Sequence, residues 1–118
     1  MEILSYRDLI VWQKTMELVT AIYSKTCEFP NEEKYGLTMQ IRRCAVSVPS
    51  NIAEGYGRNS TPDYIRFLNI ARGSLYELQT QLEIAVNLGY LKDAIYKDLL
   101  QSINEVERML NSLIGKLS

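Results

Sequence analysis

The residues best placed to do chemistry lie in one stretch, AVSVPSNIAEGYGR, from Ala45 to Arg58. Ser47 and Ser50 offer hydroxyls, Glu54 a carboxylate, and Gly55 and Gly57 a G-x-G turn. Each suggests a reaction or a ligand, and each lacks a necessary companion. A serine nucleophile needs a base to take its proton, and the chain contains no histidine, nor any lysine in this stretch. Glu54 is a lone carboxylate there, so no acid–base pair forms. In a dinucleotide-binding loop the third glycine of G-x-G-x-x-G would fall where Ser60 stands, and no strand pattern precedes it. Catalytic, cofactor-binding and metal-binding residues are therefore assigned to none. Without histidine the commonest metal ligand is missing too.

A helical reading accounts for more of the stretch. Cys44, Val48 and Ile52 keep helical phase across Pro49, which removes one backbone hydrogen bond and predicts a kink. At about 100° per residue, Arg43, Ser47, Ser50, Asn51, Glu54 and Arg58 share one narrow polar stripe between apolar flanks. Such a stripe suits a helix touching neighbours on both sides, its polar groups bonded across the contacts. Small residues such as Gly55 would permit close approach. Arg43, Ser47, Pro49, Ser50, Asn51, Glu54 and Gly55 thus form a candidate assembly motif, with ligand binding as the alternative.

Charge is distributed unevenly along the chain. Net charge is −1, but residues 1–33 carry −3, residues 34–72 carry +4 and residues 73–118 carry −2. Five of the seven arginines fall between Arg42 and Arg72. Arg42, Arg43, Arg58, Arg66 and Arg72 are therefore the candidate contacts for an anionic partner, or else members of ordinary ion pairs. Tyr56 and Tyr64 could stack on bases or pack in the core.

These side chains must be positioned by helices, because no segment alternates with period two. Four segments are expected, at about residues 6–26, 35–57, 62–88 and 93–117. The first has Leu9, Trp12, Met16, Val19 and Tyr23 on one face, with Val11, Leu18 and Ile22 as a second apolar edge. Pro30 marks its end. The second carries Leu37, Ile41, Cys44, Val48 and Ile52, and Asn31 is a possible cap. In the third, Ser60 or Thr61 caps, Pro62 opens the first turn, and Gly89 stops the helix. Its Tyr64, Leu68, Ala71, Leu75, Leu78, Leu82 and Ala85 step as a heptad. The fourth repeats Ile95, Leu99, Ile103, Val106, Leu110, Leu113 and Leu117.

At 118 residues and 47% hydrophobic content, one domain with a sizeable core is expected. The fold class is all-α, an antiparallel up-down four-helix bundle. No apolar run reaches the length of a membrane span, and the first residues lack a signal-peptide core. A cytoplasmic location follows. There Cys27 and Cys44, with no CxxC spacing, stay reduced as packing residues.

The segments YRDLIVWQKTMELVTAIY, FPNEEKYGLTMQIRR, SVPSNIAEGYGR and FLNIARGSLYELQTQLEIA resemble the four-helix-bundle proteins encoded in intervening sequences of bacterial 23S ribosomal RNA genes. The resemblance implies an up-down bundle assembling into a ring-shaped homopentamer in the bacterial cytoplasm, with no known enzymatic activity. Similar proteins serve beside reverse transcriptases in diversity-generating retroelements, where a strongly basic surface binds nucleic acid and the polymerase. This sequence departs from those members in being slightly acidic. An accessory role with RNA or a nucleic-acid-processing protein is the expected function, and a scaffold that binds only protein is the alternative.

Overall fold

The computed structural model describes residues 2–118. Four helices follow one another: α1 (Ile10–Lys25), α2 (Leu37–Tyr56), α3 (Thr61–Asn87) and α4 (Asp93–Leu117). Short 3-10 turns at Tyr6–Asp8 and Asn31–Glu33 precede α1 and α2. No strand occurs among the described residues. The molecule measures 43 × 25 × 21 Å. Its long axis is close to the ~40 Å expected of a 27-residue helix such as α3.

Consecutive helices pack on one another, and α1 closes the square against α4. Cross-helix pairs give the direction. Arg72 meets Asn111, and one turn further along α3 Tyr76 meets Glu107, so α4 runs backwards past α3. Cys44 reaches Ser74 while Tyr56 stacks edge-on against Tyr64, so α2 and α3 are antiparallel as well. The bundle is up-and-down.

Local chemistry fixes the helix ends. Ser60 caps α3 by accepting from the Asp63 N–H at 3.3 Å, and Thr61 is the first helical residue. After α3 the chain turns at Gly89, the described residue with positive φ (78°), and the Tyr90 N–H closes back on the Ala85 carbonyl. At the start of α2 the capping group is Glu33 rather than Asn31. The Glu33 carboxylate accepts from the Leu37 N–H at 3.1 Å and from the Tyr90 hydroxyl at 3.0 Å, joining α2 to the α3–α4 connection. Asn31 instead opens the preceding 3-10 turn.

The first segment differs most from the sequence reading. Tyr6–Asp8 forms a separate turn, because Ser5 and Asp8 make a capping box and Leu9 is extended. The buried face of α1 is Val11, Thr15, Leu18 and Ile22, while Met16 and Tyr23 stand in solvent. The edge expected to be secondary is the core edge. α1 is apolar around much of its circumference, and packing between α2 and α4 selects the face. In α2, α3 and α4 the expected stripes supply the interior, with Tyr96 joining it from α4.

Candidate nucleic-acid interface and assembly surface

α2 runs unbroken through Pro49, which is itself buried. The polar side chains around it bond within their own helix. The Ser47 hydroxyl donates to the Cys44 carbonyl at 2.7 Å, the Ser50 hydroxyl to Val46 at 2.8 Å, and the Asn51 amide to Ser47 at 2.7 Å. This corrects the expectation that they bond across helix contacts. Short polar side chains reach the carbonyls three and four residues back, and these three do so on both sides of the proline. Neither serine hydroxyl faces a base. Glu54 pairs with Arg58 at 3.4 Å on the exposed surface.

Gly55 does support close approach. It is buried against α3, with Phe67 and Tyr64 directly opposite. Gly57, by contrast, terminates α2.

The five candidate arginines divide among four places. Arg42 lies between α1 and α2, where its Nε donates to Thr26 Oγ1 at 2.9 Å and a terminal nitrogen to the Tyr23 carbonyl at 3.2 Å. Its guanidinium also stacks over the Tyr23 ring at 4.6 Å. It thus holds the negative end of α1 and ties that end to α2.

Arg43 is exposed and makes no ion pair among the described residues. It lines a groove of about 410 Å³ between α2 and α3, along with Gln40, Ser47, Asn51, Glu77 and Gln81. At its floor the Cys44 thiol donates to the Ser74 carbonyl at 3.0 Å and approaches Glu77 at 3.5 Å. Burial, then the bond to Glu77 and its charge, push that thiol up to about 12. Cys44 is inert packing, while Cys27 is exposed.

Arg58 and Arg66 are brought together. Their guanidinium carbons lie 4.7 Å and 4.6 Å from the centre of the same Phe67 ring, at the α2–α3 turn. Arg66 also pairs with Asp63 at 3.7 Å. Arg72, further along α3, donates to the Asn69 and Asn111 side-chain oxygens, both at 2.7 Å. Both partners are neutral amides, so they orient the group without cancelling its charge. Tyr56 and Tyr64 are half-buried and pack on each other, and Tyr64 rests on Gly55.

Sequence reading missed Phe67 as the shared platform, although Arg66 adjoins it. The link to Arg58 exists only once the turn is closed. Met39 and Ile70, which line the α2–α3 groove, and Val46 on α2 are exposed large apolar side chains.

No helix among the described residues is long and apolar enough to cross a membrane. No cluster of three or more metal-ligating side chains occurs among them.

The family model for the 23S rRNA-intervening sequence protein matches residues 7–112. Among solved structures, the chain resembles a protein of unknown function from the S23 ribosomal protein family of Bacteroides thetaiotaomicron VPI-5482. The two are 28% identical with a TM-score of 0.83, over 90% of this chain and 96% of that one. No protein of curated function matches. With four antiparallel helices, a family match over nearly its whole length and a structural relative of the same fold, the chain belongs to the 23S rRNA-intervening sequence protein family.

Proposed function

We propose that this chain is a non-enzymatic, cytoplasmic bundle that assembles into a homopentameric ring and serves as an accessory factor to RNA or a nucleoprotein. The observation carrying the reading is the Arg58–Phe67–Arg66 stack, extended along α3 by Arg72. The aromatic ring orders two flexible guanidiniums before any partner arrives, and Arg72 adds an uncancelled charge. The acids beside them make only exposed ion pairs, each worth about 0–1 kcal/mol, so a phosphate can compete for the guanidiniums. A non-enzymatic role is supported by Ser47 and Ser50 donating to carbonyls and by Glu54 facing Arg58. Self-assembly is supported by the exposed Met39 and Ile70, which line the groove with Arg43, and by exposed Val46 on α2.

The test is binding of single-stranded RNA as a function of salt. Three phosphate contacts predict a log–log slope of about −2, which should flatten in the triple variant Arg58→Ala, Arg66→Ala, Arg72→Ala. Salt-insensitive binding, or a slope the triple variant leaves unchanged, overturns the RNA role. The same apolar α2–α3 face supports a protein-only scaffold as the second reading. A protein partner that co-purifies after nuclease treatment and is lost on Val46→Asp would favour it.

A further inference from the structure

The geometry points to a binding site for a phosphate group where Asn69, Arg72 and Asn111 meet across α3 and α4. The site shares Arg72 with the RNA reading but does not rest on it, because free phosphate would meet the same donors.

Arg72 is half-buried, and its two terminal nitrogens donate to the Asn111 and Asn69 side-chain oxygens, both at 2.7 Å. A guanidinium has only donors, so each amide must turn its oxygen to it. Each NH2 is thereby left on the far side, and both asparagines are exposed. Neither NH2 has an acceptor among the described residues. The result is a cation flanked by two amide donors, each carried on a different helix. No ion pair among the described residues includes Arg72. The acid one turn further along, Glu107, accepts from the Tyr76 hydroxyl instead.

The surface beside this cluster is bare. Gly73 follows Arg72 and lies one turn on from Asn69, with nothing within 4 Å of the place its β-carbon would take. A glycine weakens a helix interior, and no packing requires this one. It leaves room for a ligand to settle against α3 next to the guanidinium.

Shape selects the ligand class. A planar carboxylate satisfies one edge of a guanidinium and little else. A tetrahedral oxyanion directs its oxygens several ways, so one phosphate can accept from Arg72 and from the amides on both helices.

The experiment is titration of the isotope-labelled full chain with inorganic phosphate at fixed pH and ionic strength, read by NMR. The Asn69 and Asn111 side-chain NH2 signals and the Arg72 Nε–H should shift together and saturate, and acetate should not reproduce the effect. Arg72→Ala should weaken binding by about tenfold or more, the loss expected for hydrogen bonds to a charged group. Asn69→Asp combined with Asn111→Asp should weaken it as much, although the carboxylates still hold Arg72. Helical circular dichroism should be unchanged in both. Lys97→Ala, which removes a cation elsewhere on α4, should leave binding intact. Signals that do not move, or an affinity that Arg72→Ala leaves unchanged, overturn the site. Two RNAs, one with a terminal phosphate and one with a terminal hydroxyl, identify the source. Displacement of bound phosphate by the first alone assigns a chain end, by both a backbone phosphate, and by neither the free ion. The RNA reading fails separately: phosphate bound here while RNA binding ignores salt removes that reading and leaves the site.

Discussion

Gly55 on α2 lies so close to Phe67 on α3 that a β-carbon there would stand 2.7 Å from the Phe67 Cβ. The Tyr64 ring and carbonyl, at 3.2 and 3.3 Å, block the remaining directions. None of these is the far end of a flexible side chain, so Gly55→Ala must push the two helices apart. Overpacking of this kind costs about 1–3 kcal/mol, against a helix-propensity gain of about 1 kcal/mol. A lower urea midpoint is expected. Gly73 is the counterpart: it is exposed within α3 with open space at its β-position, so Gly73→Ala should stabilise by up to about 1 kcal/mol.

Removing Arg42 should loosen α1. Arg42→Met keeps the aliphatic stem but leaves the Tyr23 carbonyl and Thr26 hydroxyl without their charged donor. Hydrogen bonds to a charged group contribute about 1.5–3 kcal/mol, and partial exposure places the expected loss near the lower figure. Arg42→Lys should recover only part of it, since an ammonium lacks the planar fork that spans both acceptors. Thermal unfolding of the three proteins ranks them directly.

Thr38 is 7% exposed, and its hydroxyl has no hydrogen-bond partner among the described residues. A buried unsatisfied hydroxyl costs about 1–3 kcal/mol, so replacing it by a methyl of the same shape removes a penalty. Thr38→Val is expected to raise the denaturation midpoint. A fall of 1 kcal/mol or more would mean that the hydroxyl has a partner in solution, such as a bound water, about 1 kcal/mol being the usual net worth of such a bond.

The two thiols should separate kinetically. Cys27 is exposed and Cys44 is buried with its proton held by Ser74 and Glu77, so a thiol reagent at pH 8 should modify one cysteine quickly and the second only on unfolding. Two equal fast phases would contradict the packing of α2 on α3.

Stability should decline in strong alkali. Cys44 is raised from its ordinary 9.0 to about 12, chiefly by burial. Tyr64 and Tyr96 are raised by burial, and Tyr76 and Tyr90 chiefly by hydrogen bonds to Glu107 and Glu33. In each case the folded chain keeps a proton that the unfolded chain releases first. The stabilisation is therefore complete below the unfolded value and is lost as pH rises through the folded one. For Cys44 that window runs from pH 9 to about 12. Cys44→Ala should flatten the decline there, as measured by denaturant midpoints.

Legibility varied with how one-sided each helix is. α3 and α4 have a single apolar stripe, so most of their core residues follow from spacing alone, buried Phe67 and Tyr96 lying outside it. α1 offers two, Trp12–Met16–Tyr23 and Val11–Leu18–Ile22, and only the positions of α2 and α4 decide between them. The hydroxyls of Ser47 and Ser50 are a subtler case. Their separation from Cys44 and Val46 was visible, yet a self-bonded side chain and one bonded across a contact leave the same polar pattern. Arg58 and Arg66 were both visible as cations, but their common ring depends on the fold of the turn between them.

The closure of α1 against α4 bears on how the chain comes together during synthesis. α2 and α3 share the most extensive contact in the molecule, and both lie within residues 37–87. That hairpin can complete itself as soon as Asn87 has left the ribosome. α1 is made earlier but finds its second neighbour only in the last helix to appear. During the interval the flank of Val11 and Leu18 that faces α4 waits half-covered, so the nascent chain is most exposed to mispairing just before α4 emerges.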